Sequence, residues 1–255
     1  MKNETTQNRE AIIKIENLKI QFGSLEVLKD VSMELYEGEN LVVLGKSGTG
    51  KSVLIKCIVR LLTADSGTIN VHGKEISSIK SKELDNVRET IGFLFQSGAL
   101  YDSMTVRENL AFPLKRIKKE LTSEQIETKI KETLENVGLP EVIDKMPSEL
   151  SGGMRKRISL ARTIIVDPSI MLYDEPTTGL DPITSDEISN LINDIQKKYK
   201  TASIVITHDI ECAKAVANRI IMLHEGKVYK VGTLADFENS DDELVQSFFK
   251  NKKNN

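Results

Sequence analysis

The sequence predicts an α/β fold: a nucleotide-binding core of alternating strands and helices, with a helical lobe inserted into it. Three observations predict it. The apolar run Asn40-Leu41-Val42-Val43-Leu44 leads straight into Gly45-Lys46-Ser47-Gly48-Thr49-Gly50-Lys51-Ser52, which fits the phosphate-loop pattern G-x-x-x-x-G-K-[ST] without a mismatch. Strand and helix patterns alternate again from residue 170 to residue 223. Between the two, from about Thr105 to Leu139, strand signal fades and apolar residues take helical spacing, as at Ile126, Ile130, Leu134 and Val137.

The elements follow in order. Alternating or continuous apolar runs predict strands over 12–20, 27–36 and 41–44, and a helix over 51–62 follows the phosphate loop. Ser66-Gly67 precedes a short strand over 68–71, His72-Gly73 makes a turn, and 91–95 is a further apolar strand. A helix over 123–137 dominates the lobe, which Pro140 and Pro147 interrupt before Ser151 opens another helix. Then come a strand over 170–173, a helix over 183–198, a strand over 202–207, a helix over 210–216 and a strand over 220–223. No internal repeat occurs, so a tandem pair of such units in one chain is excluded.

Composition narrows the function classes. With 255 residues, 39% hydrophobic and 29% charged, the chain can bury a core as one large domain or two small lobes. No apolar run approaches the roughly 18 residues that cross a bilayer, and the polar start MKNETTQNRE lacks the apolar region of a signal peptide, so a cytoplasmic location is expected. A net charge of -3 gives no basic footprint for nucleic acid. The basic stretch Lys250-Asn251-Lys252-Lys253 reads as a solvated end, His72 and His224 as surface residues, and Cys57 and Cys212 as buried free thiols.

The chemistry gathers in three places. The phosphate loop turns backbone N–H groups inward as an anion cradle, Lys51 brings a charge to the β- and γ-phosphates, and the Ser52 hydroxyl suits Mg2+. Ile170-Met171-Leu172-Tyr173 is a buried strand delivering two carboxylates to its C-terminal edge: Asp174 for Mg2+, and Glu175 as the base that polarises an attacking water. Leu150-Ser151-Gly152-Gly153-Met154 is a helix start capped by Ser151 and stripped of side chains, which leaves N–H groups open to a second phosphate contact.

Together GKSGTGKS, LSGGM, IMLYDE and His208 resemble the nucleotide-binding subunit of an ATP-binding cassette (ABC) transporter, over nearly the whole chain. The resemblance implies a P-loop NTPase cassette with a RecA-like core, an antiparallel β subdomain and an inserted helical subdomain. It implies one domain over 1–255: core over 1–95 and 165–240, helical subdomain over about 96–164, tail over 241–255. By the same resemblance Phe22 stacks on adenine, residues 45–53 through Val53 hold ATP, and Gln96 senses the γ-phosphate and joins the Mg2+ ligands. Ser151 to Met154 act across a dimer, Asp181 belongs to the D-loop, and Lys51, Gln96, Glu175 and His208 form the catalytic set. From the residues alone, Phe22 reads equally as core, Gln96 as a strand end and His208 as a helix cap.

Met154 stands where the family signature usually has Gln, a change that spares backbone contacts. It joins Lys46, residues 95–102 (FQSGALYD), 104–109 (MTVREN) and 241–249 (DDELVQSFF) in resembling the Mla/Mce lipid-trafficking ATPases. The expected function is therefore ATP-driven phospholipid trafficking with Mg2+. The expected partners are a second copy of the chain, a transmembrane permease and an Mce-type substrate-binding protein, with the chain peripheral on the inner face of the membrane. A polar amino acid importer shares every catalytic motif. A soluble ATPase of DNA repair or translation is opposed by the single cassette and the missing basic face.

Overall fold

The computed structural model describes residues 10–249. One ten-stranded sheet runs through it in the order β5-β4-β1-β2-β10-β9-β3-β8-β7-β6. Its antiparallel end comprises β1 (Ala11–Phe22), β2 (Leu25–Tyr36), β4 (Ser66–Val71) and β5 (Lys74–Glu75). Its other end comprises β3 (Asn40–Leu44), β6 (Ile91–Leu94), β7 (Ile170–Asp174), β8 (Ala202–Thr207) and β9 (Arg219–His224), which run parallel to one another. β10 (Lys227–Gly232) joins the two, antiparallel to β9 and parallel to β2.

The parallel strands are buried on both faces, and their two-residue period divides them between two cores. Val42, Leu44, Met171, Tyr173 and Val205 enter one cluster, while Leu41, Val43, Leu172, Ile204 and Ile206 enter the other. The second cluster also takes the apolar face of β1 and β2, of α1 (Lys51–Ile58) and of α2 (Ser81–Glu89). The first takes the helices α3 (Val106–Ile117), α4 (Ser123–Asn136), α5 (Gly152–Ile164), α6 (Pro182–Tyr199) and α7 (Ile210–Val216).

Between β6 and β7, which pair directly, the chain inserts α3, α4 and α5. Thr105 and Thr122 open α3 and α4 with capping boxes to Glu108 and Gln125, so both ends satisfy their own amides. Ile126, Ile130 and Leu134 are buried as the spacing predicts, and Pro140 and Pro147 each start a short 3-10 turn.

Some boundaries differ from the sequence reading. The first helix stops at Ile58 rather than 62, because Arg60 turns left-handed at φ 51°. The expected tail, 241–255, is partly structured: α9 (Glu243–Phe249) buries Val245 against the helical face, next to α8 (Leu234–Glu238) at the end of the expected core, which buries Phe237. The two phenylalanines Phe237 and Phe249 lie 5.9 Å apart. The basic stretch at 250–253 lies outside the described residues. Cys57 and Cys212 are buried free thiols, and burial pushes both up to about 11. His224 is half-buried with its ring edge-on to Tyr229, not a plain surface residue.

Candidate functional site

Four neighbouring parallel strands end at one edge of the sheet, and the loops leaving them carry the predicted chemistry. β3 releases the phosphate loop, β6 leads to Gln96, β7 ends in Asp174, and β8 leads to His208. Register brings them level: Leu44 pairs with Thr207, and Asp174 with Ile206.

A cavity of about 240 Å3 opens there, and Ser47, Gly48, Gly50, Lys51, Ser52 and Val53 line one side of it. Gln96, Glu175 and His208 line the other. Gly50 caps α1 at φ 95°, and a Cβ there would meet Leu28 Cδ2 at 2.7 Å, so only glycine lets the loop enter the helix this way. Lys51 is 5% exposed, and its Nζ donates to the carbonyls of Gly45 (2.8 Å) and Lys46 (3.1 Å). It also lies 3.4 Å from Glu175 Oε1. Gly45 and Thr49 shape the loop without lining this cavity. Lys46 faces a neighbouring cavity of about 590 Å3, beside Gly179, Leu180, His208 and Phe248.

The two carboxylates are buried, at 4% and 8% exposure, so they are not merely solvated acids at a strand end. Asp174 Oδ1 accepts the Ser52 hydroxyl at 2.7 Å. Glu175 sits at φ 50°, an unusual place for a non-glycine residue, and is held there from several sides. Its N–H donates to Ile206 O at 2.9 Å. Its Oε2 receives His208 Nδ1 at 2.8 Å, the His208 N–H at 3.3 Å and the Thr178 hydroxyl at 3.3 Å. His208 therefore does not cap α7; Asp209 does, accepting from Glu211 N.

These groups fit the cofactors that the motifs imply. Ser52 and Asp174 present hard oxygens beside an anion cradle, and among the described residues no three His, Cys, Asp or Glu side chains gather as a metal site. Mg2+ typically takes one or two carboxylates and completes its shell with phosphate oxygens and water, so the set suits Mg2+ arriving with a nucleotide.

Other predicted residues lie elsewhere. Phe22 is 47% exposed at the turn into β2, so it is not core, and it does not line the phosphate cavity. Ser151 caps α5, accepting from Met154 N at 3.2 Å, and none of Ser151, Gly152, Gly153 or Met154 lines that cavity. Gly153 instead lies against Thr184 of α6. Asp181 caps α6, and the Thr184 hydroxyl and amide hold its carboxyl below the ordinary carboxylate range.

Three participants escaped the sequence reading. Val27 lines the phosphate cavity, and Thr178 reaches Glu175. Lys156 is 6% exposed and donates to Gln96 O at 2.8 Å; burial lowers its ammonium, while Asp174 and Glu175 pull it back up. A lysine two positions beyond Met154, on the buried side of an amphipathic helix, was the available signal.

The comparisons with known proteins follow the same lines. The protein-family model described as "ABC transporter" matches residues 28–178. Mkl of Mycobacterium leprae, named as a ribonucleotide transport ATP-binding protein, is 39% identical over 94% of this chain and 69% of its own length. The chloroplast protein TRIGALACTOSYLDIACYLGLYCEROL 3 of Arabidopsis thaliana is 39% identical over 94% of this chain and 73% of its own. Methionine import ATP-binding protein MetN 2 of Rhodopseudomonas palustris is 39% identical over 90% and 61%. A bacterial ABC transporter cassette solved as a dimer superposes with a TM-score of 0.80 at 30% identity, over 87% of this chain and 98% of that one. The same cassette in a post-hydrolysis state with ADP and Pi gives 0.79 at 30% identity, over the same shares of both chains. This chain belongs to the ABC transporter family, as an ATP-binding cassette that hydrolyses ATP with Mg2+ as cofactor.

Proposed function

We propose that two copies of this chain clasp ATP and drive a membrane permease that moves phospholipid. The observation that carries the ATPase chemistry is the single cavity shared by Lys51, Ser52, Gln96, Glu175 and His208, with Asp174 bonded to Ser52. In this reading Lys51 exchanges Glu175 and the loop carbonyls for the β- and γ-phosphates. Glu175 Oε2, oriented by His208 Nδ1 and Thr178, takes the proton of the attacking water. Ser52, Asp174 and Gln96 would hold Mg2+ beside the phosphate loop, where it would supply charge neutralisation for the transferring group. Phe22 offers an exposed ring to adenine. Ser151 to Met154 of the second copy close the other side of the nucleotide through backbone N–H groups, which the Met154 side chain does not alter. Hydrolysis then releases the pair.

Gln96 begins the segment that would meet the permease. Tyr101 and Phe112 follow it as exposed rings 5.2 Å apart, edge to face, on the helical lobe. Among the described residues no helix is long and apolar enough to cross a membrane. The chain then sits on the inner face, held there by its permease.

Phospholipid as cargo is supported by the resemblance of 95–109, Met154 and 241–249 to the lipid-trafficking ATPases, and by one relative whose name contains a galactolipid. An importer of a small polar solute is the rival, favoured by the methionine importer at the same 39% identity. A mild-detergent pull-down from the native cells separates them. Co-purified phospholipid with a permease and an Mce-type lipid-binding partner is expected; a small-solute permease with a solute-binding protein, and no lipid, would overturn the cargo and leave the ATPase standing.

A further inference from the structure

One face of α5 follows the loop after β6 step by step. Lys156, Ser159 and Arg162 are three residues apart, so they stack along one stripe of the helix. Lys156 Nζ donates to Gln96 O at 2.8 Å. Ser159 Oγ fills the space of a Cβ on Gly98, which would lie only 2.5 Å away, and Gly98 has φ +81°. Arg162 Nη1 donates to Ala99 O at 2.5 Å, and its guanidinium lies 4.6 Å over the Tyr101 ring.

The loop is one that needs holding. Gly98 and Ala99 are consecutive left-handed residues, at φ 81° and 52°. An alanine persists there only when its surroundings over-determine it. A buried ammonium is also a poor packing element, since a methionine would fill the same space without desolvating a charge. Lys156 therefore contributes as a donor rather than as bulk. Ser151, five residues earlier, caps the same helix.

We propose that Lys156 is a positioning residue which, with Ser159 and Arg162, clamps residues 96–101 to α5, so that Gln96 and the helix end at Ser151 move as one body. The functional weight of this clamp rests on the roles given above to Gln96 and Ser151. A shift of α5 on contact with the nucleotide of a second copy is then transmitted to the loop beside the permease.

The test uses the full-length chain as Lys156→Met and Lys156→Arg. The first readout is hydrogen exchange without nucleotide, followed at the Gly98 amide, which donates to Phe95 O at 2.9 Å. A hydrogen bond to a charged group is worth about tenfold in an equilibrium. Lys156→Met should therefore speed exchange across 96–101 by about tenfold, leave β7 and β8 unchanged and leave Tm unlowered. It should lower kcat by about tenfold with ATP affinity unchanged, and Lys156→Arg should restore both within about threefold. Unchanged loop exchange overturns the clamp. So does a fall in Tm with exchange rising throughout the molecule, which would make Lys156 a general packing residue. Gln96→Ala, run alongside, separates the two failures: undiminished hydrolysis there refutes the role of Gln96, whereas nucleotide-free exchange judges the clamp by itself.

Discussion

Glu175→Gln isolates the base from everything else in the cavity. The amide keeps the size of the side chain and one oxygen to accept from His208 Nδ1 and Thr178, contacts now at 2.8 and 3.3 Å. It loses the negative charge 3.4 Å from Lys51. A general base is worth about 10²- to 10⁴-fold, which at about 1.4 kcal/mol per decade is roughly 3–6 kcal/mol of transition-state stabilisation. Breaking a buried pair outright costs about 3–5 kcal/mol of stability, but Lys51 keeps two carbonyl partners, so about 1–2 kcal/mol is expected without nucleotide. Phosphates restore a counter-charge, so that deficit should vanish with bound ATP. Steady-state phosphate release, titration with a fluorescent ATP analogue and gel filtration with Mg-ATP measure the three effects. Turnover should fall at least about a hundredfold, affinity should stay within about threefold, and an ATP-dependent dimer should persist. Full turnover, or an affinity that collapses with the rate, would refute the assignment of the base.

Ser52→Ala removes the hydroxyl on Asp174 and should raise the Mg2+ needed for half-maximal hydrolysis by about tenfold, with an unchanged requirement sinking the shared-ligand reading. Arg219 ties β9 to Glu39 through bonds of 2.7 and 3.0 Å, far from the cavity. Arg219→Met should cost about 3 kcal/mol in denaturant unfolding while activity per folded molecule survives, and near-native stability would remove this clamp from the account of the fold. Burial pushes both thiols up to about 11, and a raised thiol gives up its proton only at high pH, so the reactive thiolate is scarce at pH 8. Ellman's reagent should then label neither in the native chain and both after unfolding; fast native labelling would show that the burial is wrong.

Features encoded over a few neighbouring residues were legible in the chain alone. The phosphate loop, the apolar strand ending in Asp174-Glu175 and the Ser151 cap each depend on local backbone form and spacing, so their chemistry could be read directly. Residues 123–137 showed their helix for the same reason, since the buried side repeats every turn. The weaker elements had no such signature: α2 has only Leu84 and Val87 buried, β10 alternates half-buried with exposed residues, and α9 buries Val245 alone. The tertiary structure decided what meets what. Ser52 and Asp174 are 122 residues apart, and Glu175 and His208 are 33 apart. Only the order β3-β8-β7-β6, with its parallel register, brings their strand ends to one edge. Tertiary packing likewise exposed Phe22, buried Lys156 against Gln96 and folded part of the supposed tail onto the core, because burial is a property of the surface a residue packs against and not of its neighbours in the chain.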